Sequence, residues 1–517
     1  MISIMEVREQ IAVIDFGGQY NQLIARRVRD LGCYSEIYPS SVNAKKLQDK
    51  NVIGIILTGG PQSVYEESSE KLDPSILEMN IPILGICYGA QLLAHMLGGE
   101  VAPASKPEYG TTKTRFSHGS PLFRGMSEIS DTFMSHSDYI RTLPPSFSAI
   151  AYTDGTKNAA YECPEKKIYG VQFHPEVVHT LEGNKVLKNF LELICKAKLD
   201  YKAEDLIDYM VSQIRSSVGE KEVLCALSGG VDSAVVAALL EKAIGNRLHC
   251  VFVDHGLLRY QEAEKVIGLF SDKSTFSMDF IPVNARARFL NELKGVSDPE
   301  TKRKIIGKTF IDVFKEEKNK LPHVSYLAQG TIYPDRIESG LGKSATIKSH
   351  HNVGGLPKDI GFDGIVEPLR DLFKDEVRRV GLALGLPKEI VFRQPFPGPG
   401  LAVRIIGEIT EEKIEIVQKA DYIFTSVLEE EQIQGAAQYF VALSNMKSVG
   451  VQGDFRTYAY AAVIRAVATD DFMTAVPVDI PYRILCKIAD RICNEVSGIN
   501  RVLFDYTSKP PATIELE

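Results

Sequence analysis

Short apolar runs that end in glycine turns and lead into amphipathic stretches constrain this chain most, because the pattern starts twice. Ile11–Phe16, Val52–Leu57 and Ile81–Cys87 are apolar runs with Asp15 as their one charged residue, and the helical stretches Gln19–Leu31 and Ala90–Leu97 lie between or after them. Strands without polar alternation belong to parallel sheets covered on both faces, with the intervening helices as the cover. After a polar, lysine-bearing linker near Lys196–Lys202 the alternation resumes. Ala203–Ser217 reads as helix, Glu222–Leu227 as strand, Val231–Ile244 as helix and Leu248–Val253 as strand. It stops at Gln394–Gly400, a proline-glycine stretch that neither a helix interior nor a central strand accepts. The expected fold class is therefore α/β: two doubly wound parallel-sheet domains, residues 1–197 and 203–396, followed by a smaller α+β domain over 401–517.

A chain of 517 residues is too long for one core, which fits that division. No apolar run reaches the length of a membrane helix, and the start of the chain, with Glu6, Arg8 and Glu9, does not read as a signal peptide. The eight cysteines include no Cys-x-x-Cys pair, so neither a disulfide framework nor a zinc ribbon is expected. A reducing, cytoplasmic setting is. The net charge of −8 argues against a general nucleic-acid binder.

Two places carry chemistry. Gly85-Ile86-Cys87-Tyr88-Gly89 joins a strand to a helix, with glycines on both sides of the cysteine. That composition permits a sharp turn that pushes the thiol out, at a helix N-terminus that favours thiolate over thiol. A cysteine alone is more often a buried apolar residue, and the paired glycines are what favour a nucleophile. Gln172-Phe173-His174-Pro175-Glu176 supplies a base, His174, with Glu176 placed to hold its tautomer. The turn Thr58-Gly59-Gly60-Pro61 offers backbone N–H groups for an oxyanion, Gly60 together with the amide of Tyr88.

The second place is Ser228-Gly229-Gly230-Val231-Asp232-Ser233-Ala234, between a strand and a helix. Its glycines, hydroxyls and helix N-terminus suit an anion, yet it has no Walker lysine, so a departing pyrophosphate is a better fit than a transferred γ-phosphoryl group. Asp232 is placed to meet Mg²⁺ arriving with ATP. Val253 and Asp254 end the neighbouring strand, where a nucleotide is expected to sit. The glycine-bearing, basic segment Ile347–Pro357 reads as a lid, with Lys348 as a cation for the pyrophosphate. Gly342-Lys343-Ser344 and Gly398-x-Gly400 imitate nucleotide motifs but lack the remaining glycines, and they read as loops. Taken alone, Lys302-Arg303-Lys304 reads as a solvated charge run.

The cysteine elbow, the Gly-Gly-Pro turn and Gln-Phe-His-Pro-Glu-Val resemble the class I glutamine amidotransferases. The likeness implies that Cys87 attacks a glutamine amide and releases ammonia, and that Gln91, His136, Ser137 and Asp138 help hold the glutamine. The Ser-Gly-Gly-x-Asp-Ser loop is similar to the N-type ATP-pyrophosphatases, which adenylate an oxygen that a nitrogen nucleophile then displaces. With Lys302–Gly307, the lid, Pro395–Gly400, Ser448–Arg456 and Lys509–Glu515 in order, the whole chain resembles the GMP synthase family. That resemblance implies xanthosine monophosphate (XMP) as acceptor, contacts from Arg303, Gln438, Arg456, Lys509, Ile514 and Glu515, and a homodimer through the C-terminal domain. The chain departs from the family's usual residues at Gly18, Gln394, Phe455 and Leu516. Two other readings stay open: a ligase of the same design with a different acceptor, and a nucleotide-binding regulator that keeps only the fold.

Overall fold

The computed structural model describes residues 8–117, 119–274, 276–340, 361–469 and 474–517. The chain divides into two compact units, Met1–Leu206 with Tyr333–Ala345, and Ile207–Ile332 with Thr346–Glu517.

The first unit is built on a nine-stranded sheet. Its strands are β1 (Gln10–Asp15), β2 (Tyr34–Pro39), β3 (Val52–Leu57), β4 (Ile83–Ile86), β5 (Glu100–Phe116), β6 (Ile129–Thr142), β7 (Ser148–Tyr152), β8 (Ala160–Cys163) and β9 (Ile168–Val171), in the order β2-β1-β3-β4-β9-β8-β7-β5-β6. From β2 to β9 the pairings are parallel, as expected of the apolar runs in β1, β3 and β4. Beyond β9 they are antiparallel, a wing that the expected parallel domain did not include. Its cause is local. β6 alternates exposed and buried positions over Phe133–Ile140, the signature of a sheet with one wet face. The amphipathic α1 (Asn21–Asp30) buries Ile24, Ala25 and Val28. The core of this unit includes Ala12, Ile14, Leu57, Ile83, Leu93 and Tyr161.

The second unit holds two sheets. One is wholly parallel: β10 (Glu222–Ala226), β11 (Leu248–Asp254), β12 (Asp279–Asn284), β13 (Val324–Ala328) and β14 (Gly364–Val366), ordered β12-β11-β10-β13-β14. The other pairs the long β15 (Gln438–Gln452) and β16 (Phe455–Ala468) antiparallel, with β17 (Val476–Pro477) antiparallel and β18 (Ile499–Phe504) parallel to β16. Among the helices of this unit, α2 (Val231–Ile244) follows β10, α3 (Pro299–Asn319) precedes β13, α4 (Glu411–Glu430) precedes β15 and α5 (Tyr482–Glu495) precedes β18. One apolar cluster runs from Leu224 and Val251 through Leu401 and Val417 to Val441 and Ile488, so both sheets share a core. Gln394–Pro399 contains no helix or strand, as its prolines dictate, and a short 3-10 helix, Gly400–Arg404, follows.

Candidate functional site

In the first unit the glycine-flanked cysteine forms a sharp turn. Cys87 has φ 52°, in the left-handed region, between β4 and the helix Tyr88–Met96. Both glycines are forced by close approach: a Cβ on Gly85 would lie 2.6 Å from Ala90 N, and one on Gly89 would lie 2.5 Å from Leu57 O. A strained, non-glycine φ held by its surroundings is characteristic of reactive sites.

His174 follows β9, the strand beside β4, and is seated by backbone bonds, its N–H donating to Phe133 O at 3.0 Å and its carbonyl accepting from Thr180 Oγ1 at 2.6 Å. Its Nδ1 lies 2.7 Å from Glu176 Oε1. Burial pushes the imidazole pKa down, but Glu176 and Cys87 beside it carry it well above the ordinary value. Glu176 Oε2 is buried with no hydrogen-bond partner among the described residues. The ring of Tyr20 meets the His174 ring edge-on at 5.2 Å.

Around these residues the β3 turn closes in. A Cβ on Gly59 would come within 3.3 Å of His174 Cε1 and 3.8 Å of Cys87 Cβ, while one on Gly60 would meet Phe16 O at 2.8 Å and Tyr88 Cγ at 3.2 Å. A Cβ on Gly18 would lie 2.4 Å from Gly59 O, so the loop after β1 presses on this turn. Gln91 is buried and donates to Asp138 O at 2.9 Å and to Gln172 Oε1 at 3.2 Å. The Asp138 carboxylate accepts from Ser63 Oγ and Tyr65 OH, and His136 Nδ1 donates to Asp138 O at 2.8 Å. His136 Nε2 lies 3.3 Å from Glu108, though burial still pulls its pKa down. Ser137 is exposed. Cys87, His174, Glu176, Gly60, Tyr88, Gln91, His136 and Asp138 are thus brought together at the carboxyl ends of parallel strands and the facing stretch of β6, beside the crevice where open α/β sheets bind ligands. Glu108 and Gln172 join them without having been picked out from the sequence. Both contacts are tertiary: Gln172 opens the Gln-Phe-His-Pro-Glu run, whereas Glu108 lies near no motif.

In the second unit the loop Ser228–Gly230 leaves β10 and caps α2. Gly229 has φ +76°, and Ser233 Oγ lies 3.0 Å from Ser228 Oγ and accepts from Ser228 N at 3.2 Å. Val231 and Ala234 are buried at the start of α2. Asp232 Oδ2 pairs with Lys374 Nζ at 2.6 Å, while Asp232 Oδ1 is buried without a hydrogen-bond partner among the described residues. An unsatisfied carboxylate oxygen beside a phosphate-type loop fits a cation arriving with phosphates. Lys374 starts the helix Lys374–Ala383 and was not foreseen: a lysine one residue from an aspartate is unremarkable in sequence. Arg393 Nη1 donates to Gly229 O at 2.7 Å and pairs with Glu262. Burial pushes the Arg393 pKa down to about 9, which leaves it a cation at neutral pH.

Val253 is buried in β11, and Asp254, at its end, is held by Arg286 Nε at 2.7 Å. A Cβ on Gly330, after β13, would meet Asp232 Cβ at 3.3 Å, so that strand end borders the loop. Gly400 (φ +65°) packs where its Cβ would lie 2.3 Å from Leu257 O, which joins the proline-glycine stretch to the end of β11. Lys348, the lid Ile347–Pro357 and Gly342-Lys343-Ser344 lie outside the described residues.

Of the acceptor candidates, Gln438 Nε2 donates to Glu515 Oε1 at 2.6 Å, and Arg404 grips the same carboxylate through Nε and Nη2 at 3.2 and 3.1 Å. Ile514 is buried against Phe440, Ala442, Val467 and Ala475, with Leu516 packed beside it, and Lys509 pairs through its backbone with Ala475. Arg404 was not foreseen, although it is fully buried over Phe440 and Phe396. Gln394 Oε1 accepts from Tyr439 N at 3.0 Å and so secures the start of β15. Arg303 is half-buried on α3. Its neighbour Lys302 corrects the reading of a solvated run: it is 0% exposed, donates to Ile405 O at 2.7 Å and pairs with Glu517. A buried ammonium needs such partners.

Arg456 is the exception. It lies at the tip of the β15–β16 hairpin opposite Val451, whereas Gln438 is at the other end of β15. At about 3.3 Å per residue that separation is roughly 40 Å, so one chain does not gather Arg456 with Glu515.

Among the described residues no helix is long and apolar enough to cross a membrane, and no group of three or more metal-binding side chains occurs. Residues 12–194 match the family model for class-I glutamine amidotransferases, 202–290 that for NAD synthase, and 426–516 that for the GMP synthase C-terminal domain. The chain is 55% identical over 511 residues to a GMP synthase (glutamine-hydrolyzing) of Clostridium botulinum, covering 99% of this chain and all of that one. It is 56% identical to that of Caldicellulosiruptor saccharolyticus, over 98% of this chain and 99% of the relative. It is 54% identical to that of Treponema denticola, over 100% of this chain and 98% of the relative.

Proposed function

The chain belongs to the glutamine-hydrolysing GMP synthases, and from that premise we propose how its residues divide the work. The protein catalyses the glutamine-dependent amination of XMP to GMP with ATP. The observation that carries this reading is the coexistence, in one chain, of the Cys87–His174–Glu176 arrangement and the Ser228–Ser233 loop.

In the glutaminase reaction His174 takes the Cys87 proton, with Glu176 holding its Nδ1–H, and the sulfur attacks the glutamine amide carbon. Backbone amides near Gly60 and Tyr88 face the oxyanion, and His136, Ser137, Asp138 and Gln91 shape the glutamine pocket. His174 returns the proton to the leaving ammonia, and water then releases glutamate from the thioester. In the synthetase reaction the C2 oxygen of XMP attacks the α-phosphorus of ATP, and pyrophosphate leaves into the loop Ser228–Ser233. Lys374 and, from the lid, Lys348 supply positive charge there, and Val253 and Asp254 border the nucleotide. Mg²⁺ belongs with ATP, where it neutralises phosphate charge, and Asp232 is the residue that would hold it. Ammonia then displaces AMP at C2, and AMP carries the oxygen away.

For the acceptor, Glu515 held by Arg404 and Gln438, with Lys509, Ile514 and Arg303, forms the pocket from one chain. The position of Arg456 favours a homodimer through the C-terminal sheet, in which the hairpin of one subunit reaches the pocket of the other. Val449, Val451, Phe455 and Tyr458, all exposed at that tip, supply apolar area for such an interface. Eight unpaired thiols suit a reducing, cytoplasmic setting. The division into a glutaminase (1–197), a synthetase (203–396) and a C-terminal domain (401–517) follows the same roles.

The test mixes pure protein with ATP, Mg²⁺ and XMP, using glutamine or ammonium as nitrogen source. GMP and pyrophosphate are expected with both. Cys87→Ala should retain only the ammonium reaction. Absence of GMP with either source, or retention of glutamine use in Cys87→Ala, would overturn the reading.

A further inference from the structure

Gln172 directly follows β9 and is 1% exposed. Its backbone N–H donates to Ala159 O at 2.8 Å, which fixes its place beside the cysteine turn. Its side-chain Nε2 lies 3.7 Å from Cys87 Sγ, within hydrogen-bonding range of a sulfur acceptor. At the other end, Gln172 Oε1 accepts from Gln91 Nε2 at 3.2 Å, and the same nitrogen donates to Asp138 O at 2.9 Å.

The orientation of both amides follows from the last contact. A backbone carbonyl only accepts, so Gln91 must turn its NH₂ group towards Asp138 O. That NH₂ group then faces Gln172, whose oxygen must meet it and whose NH₂ must face the sulfur. Cys87 Sγ has a second polar neighbour, Ser135 O, at 3.7 Å. The two neighbours favour opposite protonation states: the Ser135 carbonyl receives the S–H of the thiol, whereas the Gln172 N–H strengthens as a donor once the sulfur becomes an anion.

We infer that Gln172 is a further catalytic residue of the glutaminase reaction, whose carboxamide N–H holds the Cys87 sulfur as the thiolate and aims it for attack. This rests on the reading of Cys87, His174 and Glu176 as nucleophile, base and orienting carboxylate. Gln172 gives up no proton. The S–H proton passes to His174, the S–C bond forms at the glutamine amide carbon, and His174 protonates the nitrogen as the C–N bond breaks. Through Gln91 and Asp138, the same hydrogen-bond chain ties the sulfur to the segment that faces the glutamine.

The experiment uses the full chain and two variants, Gln172→Leu and Gln172→Glu, the second matching glutamine in size. The pH dependence of Cys87 alkylation by iodoacetamide is followed by mass spectrometry of the Cys87 peptide, and hydrogen-exchange protection of the peptides of the first unit's sheet, matched to the parent, reports that each variant is folded. The pH midpoint of alkylation should rise by about one unit in Gln172→Leu, a roughly tenfold slower reaction below the midpoint, and further in Gln172→Glu, where a carboxylate faces the thiolate. The glutaminase kcat should fall about tenfold, with KM changing much less. An unchanged midpoint in either folded variant, or a rise in KM with kcat retained, overturns the assignment. If Gln172→Leu fails to fold, the Gln172→Glu profile decides. Persistence of glutaminase activity in Cys87→Ala would instead remove the premise, and the two failures are read from different proteins.

Discussion

Replacing Glu176 with glutamine isolates what the carboxylate does for His174. The exchange preserves size and an acceptor for Nδ1–H and removes only the negative charge. Glu176 is 1% exposed and 2.7 Å from Nδ1, so solvent screens the pair little. A charge-assisted hydrogen bond is worth about 1.5–3 kcal/mol net, and each 1.36 kcal/mol is tenfold in rate, so glutamine-dependent turnover should fall about 10- to 150-fold. Ammonium-dependent GMP formation should be preserved, because the synthetase reaction does not use His174. A pH signature accompanies the loss. His174 has its pKa raised in the folded state, so its contribution to stability is full below the unfolded value and is lost as pH rises through the folded one. Without Glu176 that upward shift shrinks, and the alkaline loss of stability in thermal melts should flatten. The assay is steady-state GMP formation with each nitrogen source, paired with melts across pH. An equal fall with ammonium, or a glutamine rate within about threefold of the parent, would refute the assigned role.

Lys374→Met removes the cation paired with Asp232, and GMP formation should fall roughly 100-fold with both nitrogen sources, measured as pyrophosphate release; a loss confined to glutamine would contradict it. Gly89→Ala places a Cβ 2.5 Å from Leu57 O. It should destabilise the protein by about 1–3 kcal/mol, read from chemical denaturation, and an unchanged midpoint would show that the turn relaxes freely. Burial lowers the His255 pKa to about 4, and its Nδ1 accepts from Leu257 N at 3.1 Å, which requires the neutral ring. The unfolded chain therefore binds the extra proton first, and stability should fall as pH drops from about 6.5 towards 4, by at most about 3 kcal/mol. His255→Asn should flatten that acid limb, and an unaltered slope would assign it to other groups.

What was legible in the sequence was what covalent spacing dictates. Cys87 between two glycines, and His174 two residues from Glu176, carry their geometry in the local chain. The phosphate-type loop does so too, because a strand, two glycines and a helix leave little choice of shape. The antiparallel wing beyond β9 was not legible, since an even strand pattern does not say which neighbour it joins. Lys302 was misread because a charge run says nothing about the face each residue occupies, and its ammonium lies under carbonyls that arrive about a hundred residues later. Gln172, Lys374 and Arg404 act across tertiary contacts that no spacing rule reports. Arg456 was named only as a contact that the resemblance implies, and its distance from Gln438 emerges only when the β15–β16 hairpin is laid out at full length.

The central claim is that nitrogen leaves glutamine at one site and replaces, at the other, an oxygen activated by ATP. A single double-label turnover tests it most directly: amide-¹⁵N glutamine and XMP carrying ¹⁸O at C2, with ATP and Mg²⁺, analysed by mass spectrometry of the nucleotides. The account predicts ¹⁵N in GMP and ¹⁸O in the phosphate of AMP, in equal amounts. Label in pyrophosphate or water instead of AMP, or GMP without ¹⁵N, would contradict it.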